Sequence, residues 1–310
     1  MGKRILFSGV ATALVTPMTR RGIDYPALGR LIERQITSGI RALVVLGSTG
    51  EAATLSAAER GEIIRFAVRC VDGRVPLIAG TGANDTAAAV ALSRRAAEEG
   101  ADGLLLITPY CNKATQKGMY THFRTVAEAA GLPCLLYNVP GRTGCRLLPE
   151  TAAALSEVPE IVGIKEADED FGHTIRLTAA CRGRMAVYCG CDDRMLPMLS
   201  LGAAGSISVI SHLLPEEVCG LHRDFDRGDT KAAAARQMAL LPLAQALFCE
   251  VNPIPVKAAL AALGECRNLL RLPLTPLEKK HRGLLLSRMR EAGLPVAKND
   301  RGAPFAGTDT

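Results

Sequence analysis

Tryptophan is absent from this 310-residue chain, and aromatic residues make up only 4% of it. A core of any size must then be aliphatic, and a 48% hydrophobic content with 22% charged residues is that of a folded soluble protein. No block of five like charges occurs, and basic residues are not interleaved with aromatic ones, so nucleic acid is not an expected partner. The net charge of +6 is spread along the chain and would at most favour anionic substrates. No apolar run reaches membrane-spanning length, and the apolar part of the amino terminus is too short for a signal peptide. These absences point to a cytoplasmic protein with no membrane partner. Ten cysteines are present but form no C-x-x-C pair. Several, such as Cys70, Cys134 and Cys189, sit in apolar runs and read as reduced thiols. Cys189-Gly190-Cys191 is not a zinc spacing, so no metal is expected. The loop Gly80-Thr81-Gly82-Ala83-Asn84-Asp85 lacks the third glycine of a dinucleotide fingerprint, and no GxxxxGK[ST] motif occurs. NAD and ATP sites therefore have no support, and no cofactor is expected.

What the chain does have is a regular alternation. Short apolar runs without a polar face recur at 8–16, 42–46, 75–79, 103–108, 133–138, 161–164, 185–189 and 205–209. Each is followed by a segment of helical periodicity, at 24–38, 56–70, 84–99, 116–130, 149–156, 171–181, 194–201 and 214–226. Ser56 and Glu59 have the spacing of a capping box. Continuous rather than alternating apolar strands imply a parallel sheet covered by helices. Eight such units in residues 1–228 fit an α/β fold, the closed TIM (β/α)8 barrel, with a doubly wound open sheet as the alternative. Residues 229–294 then read as a C-terminal helical appendage, with helices at 231–248, 255–263 and 276–293. The Gly- and Pro-containing stretch 295–310 reads as a loose tail.

The polar residues of interest fall at the carboxyl ends of the strands, where barrel enzymes build their sites. Lys165 ends the β-branched run Ile161-Val162-Gly163-Ile164. A lysine there is either a rim residue or a working amine, because desolvation lowers its pKa and frees it to attack a carbonyl. Gly47-Ser48-Thr49-Gly50-Glu51 offers hydroxyls and free N–H groups suited to a carboxylate, or is a plain strand-to-helix turn. Tyr137 ends a buried strand about one βα unit before Lys165, so the two strands should be neighbours. Its phenol either moves a proton or fills a core hydrogen bond. Arg142, in Pro140-Gly141-Arg142-Thr143-Gly144, either grips a carboxylate or is an exposed loop arginine. Together these groups are what condensation of a 2-keto acid through an enamine would need.

From Ser8 to Leu294 the chain resembles the dihydrodipicolinate synthase branch of the pyruvate-dependent class I aldolase-type lyases. The resemblance is carried by the segments 13–18 (ALVTPM), 47–51 (GSTGE), 79–84 (AGTGAN), 136–144 (LYNVPGRTG), 163–166 (GIKE) and 252–257 (NPIPVK). Arg142 distinguishes the synthase branch from sialic-acid lyases. The resemblance implies that Lys165 forms a Schiff base with pyruvate and that Thr49, with the Ser48 loop, holds the pyruvate carboxylate. It further implies that Tyr137 orients the imine and passes protons, and that Arg142 binds the carboxylate of aspartate semialdehyde. Ile207 and Gly190 would line the pocket through their backbones. The implied product is 4-hydroxy-tetrahydrodipicolinate, for lysine and diaminopimelate biosynthesis. The implied assembly is a homo-oligomer, dimer or tetramer.

Two features, the proton relay and the lysine-binding pocket, depart from the family pattern. The family's proton relay runs from the strand tyrosine through a threonine to a second tyrosine given by a neighbouring subunit. Ser48 stands at the threonine position and keeps the hydroxyl, whereas Cys111 stands at the second tyrosine position. A thiol is shorter and a weak donor. Asn84 and Tyr110 fit the family's lysine-binding pocket, but Ala88 stands where an acidic residue is expected, which implies weak or absent lysine inhibition. The departures leave two alternatives open: another pyruvate-dependent 2-keto acid aldolase or lyase, or a catalytically impaired paralogue that still binds pyruvate.

Overall fold

A computed structural model describes residues 5–296. Eight parallel strands close into a barrel: β1 Gly9–Ala13, β2 Ala42–Val45, β3 Leu77–Gly80, β4 Gly103–Ile107, β5 Cys134–Asn138, β6 Ile161–Glu166, β7 Ala186–Cys189 and β8 Gly205–Ser208. Each strand pairs with its neighbours in sequence, and β8 pairs with β1. The closed barrel removes the open-sheet alternative. Closure needs glycine at one seam, because a Cβ on Gly205 would lie 2.0 Å from the Gly9 carbonyl oxygen.

Helices cover the barrel: α1 Tyr25–Thr37, α2 Ala57–Val71, α3 Thr86–Glu98, α4 Gln116–Ala130, α5 Pro149–Leu155, α6 Phe171–Cys181, α7 Met195–Ser200 and α8 Pro215–Asp226. The capping box opens α2 as its spacing predicts: Ser56 Oγ accepts from Glu59 N–H and Glu59 accepts from Ser56 N–H. Beyond the barrel follow α9 Thr230–Ala246, α10 Ile254–Ala262 and α11 Lys279–Glu291. Their apolar faces join the same core that lies between strands and helices. None of the helices among the described residues is long and apolar enough to cross a membrane. Most of the expected tail lies outside the described residues.

Because every strand is buried on both sides, side chains divide into two apolar layers. One layer lies under the helices. The other fills the barrel with small residues, Ala11, Ala13 and Ala42, against large ones, Phe7, Tyr137 and Tyr188. Tyr188 stacks on Phe7 at 4.3 Å and donates to its carbonyl at 2.8 Å, which closes the amino end of the barrel. The first strand stops at Ala13 rather than Thr16, and the chain then forms a small antiparallel ribbon, Met18–Thr19 with Gly22–Ile23, that the sequence reading did not foresee.

Candidate active site

The register of β5 and β6 sets the centre of the site. Tyr137 pairs with Lys165, and Asn138 with Glu166. At this end of the two strands odd positions point into the barrel and even ones outward, so the phenol and the amine share the interior. The Lys165 Nζ lies 4.5 Å from the centroid of the Tyr137 ring. Outside the barrel, Asn138 Nδ2 donates to both Glu166 oxygens at 3.1 and 3.0 Å, which locks this register from behind. Burial raises the Glu166 carboxyl to about 7.

Lys165 is 5% exposed. Desolvation lowers its pKa from 10.5 to about 8, with Cys191 and Asp192 pulling the other way. At pH 7 about one amine in ten is then neutral, against about one in three thousand for an ordinary lysine. Tyr137 is pushed up to about 12, first by burial, while nearby Arg142 opposes the shift. The phenol therefore stays protonated at neutral pH and can donate. Gly190 makes this packing possible: a Cβ there would meet Lys165 Cε at 3.0 Å and Ala167 Cβ at 2.8 Å.

A cavity of about 550 Å³ opens above the lysine, bordered by Thr49, Tyr137, Arg142, Lys165, Gly190 and Asn252 among others. Thr49 is buried in the turn after β2, and its hydroxyl accepts from Asn252 Nδ2 at 2.8 Å. The turn is closed by Gly50 N–H donating to Gly47 O at 3.0 Å and Glu51 N–H to Ser48 O at 3.2 Å. Arg142 stands at the cavity mouth on a single helical turn, Pro140–Thr143, and its guanidinium donates to the Asn252 carbonyl at 3.0 Å. Asp192, a fully buried carboxyl raised by desolvation, also borders the cavity. Its Oδ2 accepts from Val209 N–H at 3.0 Å and Ile210 N–H at 2.8 Å.

The structure thus brings Lys165, Tyr137, Ser48, Thr49, Arg142 and Gly190 together at the carboxyl end of the barrel. Ser48 borders a second cavity of about 340 Å³ that shares Tyr137, Arg142 and Asn252 with the first. Ile207 sits in the barrel interior, and Val209, two residues on, borders the cavity in its place. Cys111 is exposed, in a left-handed conformation at φ 70°, and borders neither cavity. Its neighbour Tyr110 borders the second one. Asn252, Asp192 and the ion pair between Glu51 and Lys257 are additions that the sequence reading did not assign. A signal for the pair was present, because Lys257 lies in an otherwise apolar helix and a buried ammonium needs a partner.

Comparison with known proteins agrees with this geometry. The sequence model of the dihydrodipicolinate synthetase family matches residues 6–292. The 4-hydroxy-tetrahydrodipicolinate synthase of Lachnoclostridium phytofermentans is 45% identical over 291 residues, covering 93% of this chain and 99% of that protein. The crystal structure of dihydrodipicolinate synthase from Thermotoga maritima superposes with a TM-score of 0.91 at 40% identity, over 93% of this chain and 99% of that one. The chloride-inhibited enzyme of Acinetobacter baumannii, complexed with pyruvate, gives a TM-score of 0.90 at 42% identity, over 94% of this chain and all (100%) of that one. With a match of this extent to the family and relatives at this identity, the chain belongs to the dihydrodipicolinate synthetase family.

Proposed function

We propose that this protein condenses pyruvate with aspartate semialdehyde through an imine on Lys165, giving 4-hydroxy-tetrahydrodipicolinate for lysine and diaminopimelate biosynthesis. The observation that carries the reading is the Lys165 amine, 5% exposed, held against the Tyr137 ring and lowered to about 8. The neutral amine adds to the pyruvate carbonyl carbon, and loss of water leaves the imine. Loss of a methyl proton gives the enamine, whose carbon attacks the aldehyde carbon, and the new alkoxide takes up a proton. The amine of the semialdehyde then adds to the imine carbon and displaces Lys165, closing a six-membered ring. The imine is itself the electron sink, so these steps call for no metal or nucleotide.

The residue roles follow from placement. Thr49 and the N–H groups of its turn hold the pyruvate carboxylate. Tyr137, which shares the second cavity with Ser48, moves protons at the carbinolamine and enamine stages. Arg142 at the mouth takes the carboxylate of the second substrate, and Gly190 leaves room for the lysine to swing. The barrel, 1–228, carries the chemistry, and the region 229–294 covers one wall through Asn252. We place the protein in the cytoplasm as a homo-oligomer, dimer or tetramer. The exposure of Tyr110 and Cys111 beside the site supports a neighbouring subunit there. Cys111 also favours a second reading, in which another aldehyde is the natural partner. Purified protein given pyruvate and a panel of aldehydes tests both. Ring product from aspartate semialdehyde supports the first reading, faster turnover of a sugar-acid aldehyde supports the second, and no aldehyde consumption overturns both.

A further inference from the structure

We propose that the buried pair Glu51–Lys257 is a positioning device for the carboxylate cradle and sets the affinity for pyruvate. The inference rests on the reading of Lys165 and the 47–51 turn given above. Both side chains of the pair are 0% exposed, with Lys257 Nζ 2.5 Å from Glu51 Oε1. The ammonium also donates to the Leu269 carbonyl at 2.7 Å, and the other Glu51 oxygen accepts from Arg271 N–H at 3.1 Å. One carboxylate thus ties three separate segments: the cradle turn, α10 and the stretch 269–271.

The attachment point matters. Glu51 lies two residues after Thr49 and is held at φ 53°, a left-handed conformation that a non-glycine residue adopts only when its surroundings hold it there. The same C-terminal region grips the cradle again from the cavity side, where Asn252 donates to Thr49 and accepts from Arg142. Asn252 begins the segment that continues into α10 and Lys257. The turn that carries Thr49 is therefore pinned in front by Asn252 and behind by Lys257. Exchange of a buried ion pair for apolar residues of similar volume is often neutral or stabilising. Stability alone does not explain a charged pair here. What an apolar pair cannot supply is a set of directional bonds that fixes the backbone N–H groups of the turn.

The test separates positioning from folding. In Glu51→Leu/Lys257→Met the melting temperature should stay within about 3 °C of the parent, since no charge is left unpaired. The KM for pyruvate should rise about tenfold or more, and kcat should fall less than about threefold, because the lost interaction holds substrate in ground and transition states alike. Glu51→Gln/Lys257→Met keeps an oxygen acceptor for Arg271 N–H and should recover part of the pyruvate affinity. A parent-like KM in the apolar pair overturns the proposal. So does a failure of both double variants to fold, which would make the pair purely structural. Borohydride trapping of the parent with pyruvate is run first. No adduct there defeats the proposed function itself, whereas an adduct with unchanged KM in the variants defeats only this inference.

Discussion

Replacing Lys165 by methionine removes the reactive amine and should at the same time make the fold more stable at neutral pH. Methionine has nearly the length of the lysine stem and no charge to desolvate. Holding the amine at about 8 instead of 10.5 costs the protonated fold about 3 kcal/mol. The ammonium over the Tyr137 ring recovers about 1 kcal/mol that the variant loses. The net gain is about 2 kcal/mol, or a rise of about 3 °C in melting temperature for a chain of this size. The sign of the pH dependence is fixed. Because the folded pKa is depressed, the parent's deficit is complete below about pH 8 and disappears as pH rises to 10.5, where the unfolded lysine also loses its proton. Melting curves of parent and Lys165→Met between pH 7 and pH 10.5 should therefore converge as pH rises. A variant less stable than the parent at pH 7, or a difference that does not change with pH, would refute the claim that this lysine is desolvated.

Other outcomes follow from the same geometry. Tyr137→Phe should lower kcat about 100-fold while leaving the pyruvate adduct trappable by borohydride, since the phenol moves protons and the amine makes the bond; single-turnover kinetics check this. Gly190→Ala places a methyl 3.0 Å from Lys165 Cε, so it should slow adduct formation at least tenfold and lower stability by about 1–3 kcal/mol, read by trapping rate and denaturant unfolding. Arg142→Ala should raise KM for the semialdehyde about tenfold or more with little change in the pyruvate KM, measured by steady-state titration of each substrate. Lysine should inhibit weakly or not at all, because Ala88 supplies no counter-charge and Asp85 uses Oδ1 to cap α3; inhibition at micromolar lysine would contradict this.

Much of this was legible in the sequence, and the reasons differ from element to element. Strands such as Leu104-Leu105-Leu106 and Ile161-Val162-Gly163-Ile164 are apolar on both faces because both faces are buried, so a parallel sheet covered by helices could be read from the runs themselves, while closure into a barrel rests on the strand pairing. Lys165 stood out because an ammonium at the end of such a strand demands an explanation. The ribbon at Met18–Ile23 escaped because two-residue strands carry no period. The cradle's supports escaped for another reason. Asn252 and Lys257 lie more than two hundred residues from Thr49 and Glu51, and no local pattern announces a contact at that separation. Cys111 marks a further boundary, since its side chain is exposed and borders neither cavity, which a position in the sequence does not reveal.

Borohydride reduction of the protein in the presence of pyruvate, followed by peptide mapping, decides whether Lys165 is the amine that forms the imine. One N-carboxyethyl adduct should appear, on the peptide containing Lys165, and none on Lys257, which is also buried. An adduct on a different lysine, or no adduct at all, would contradict that assignment.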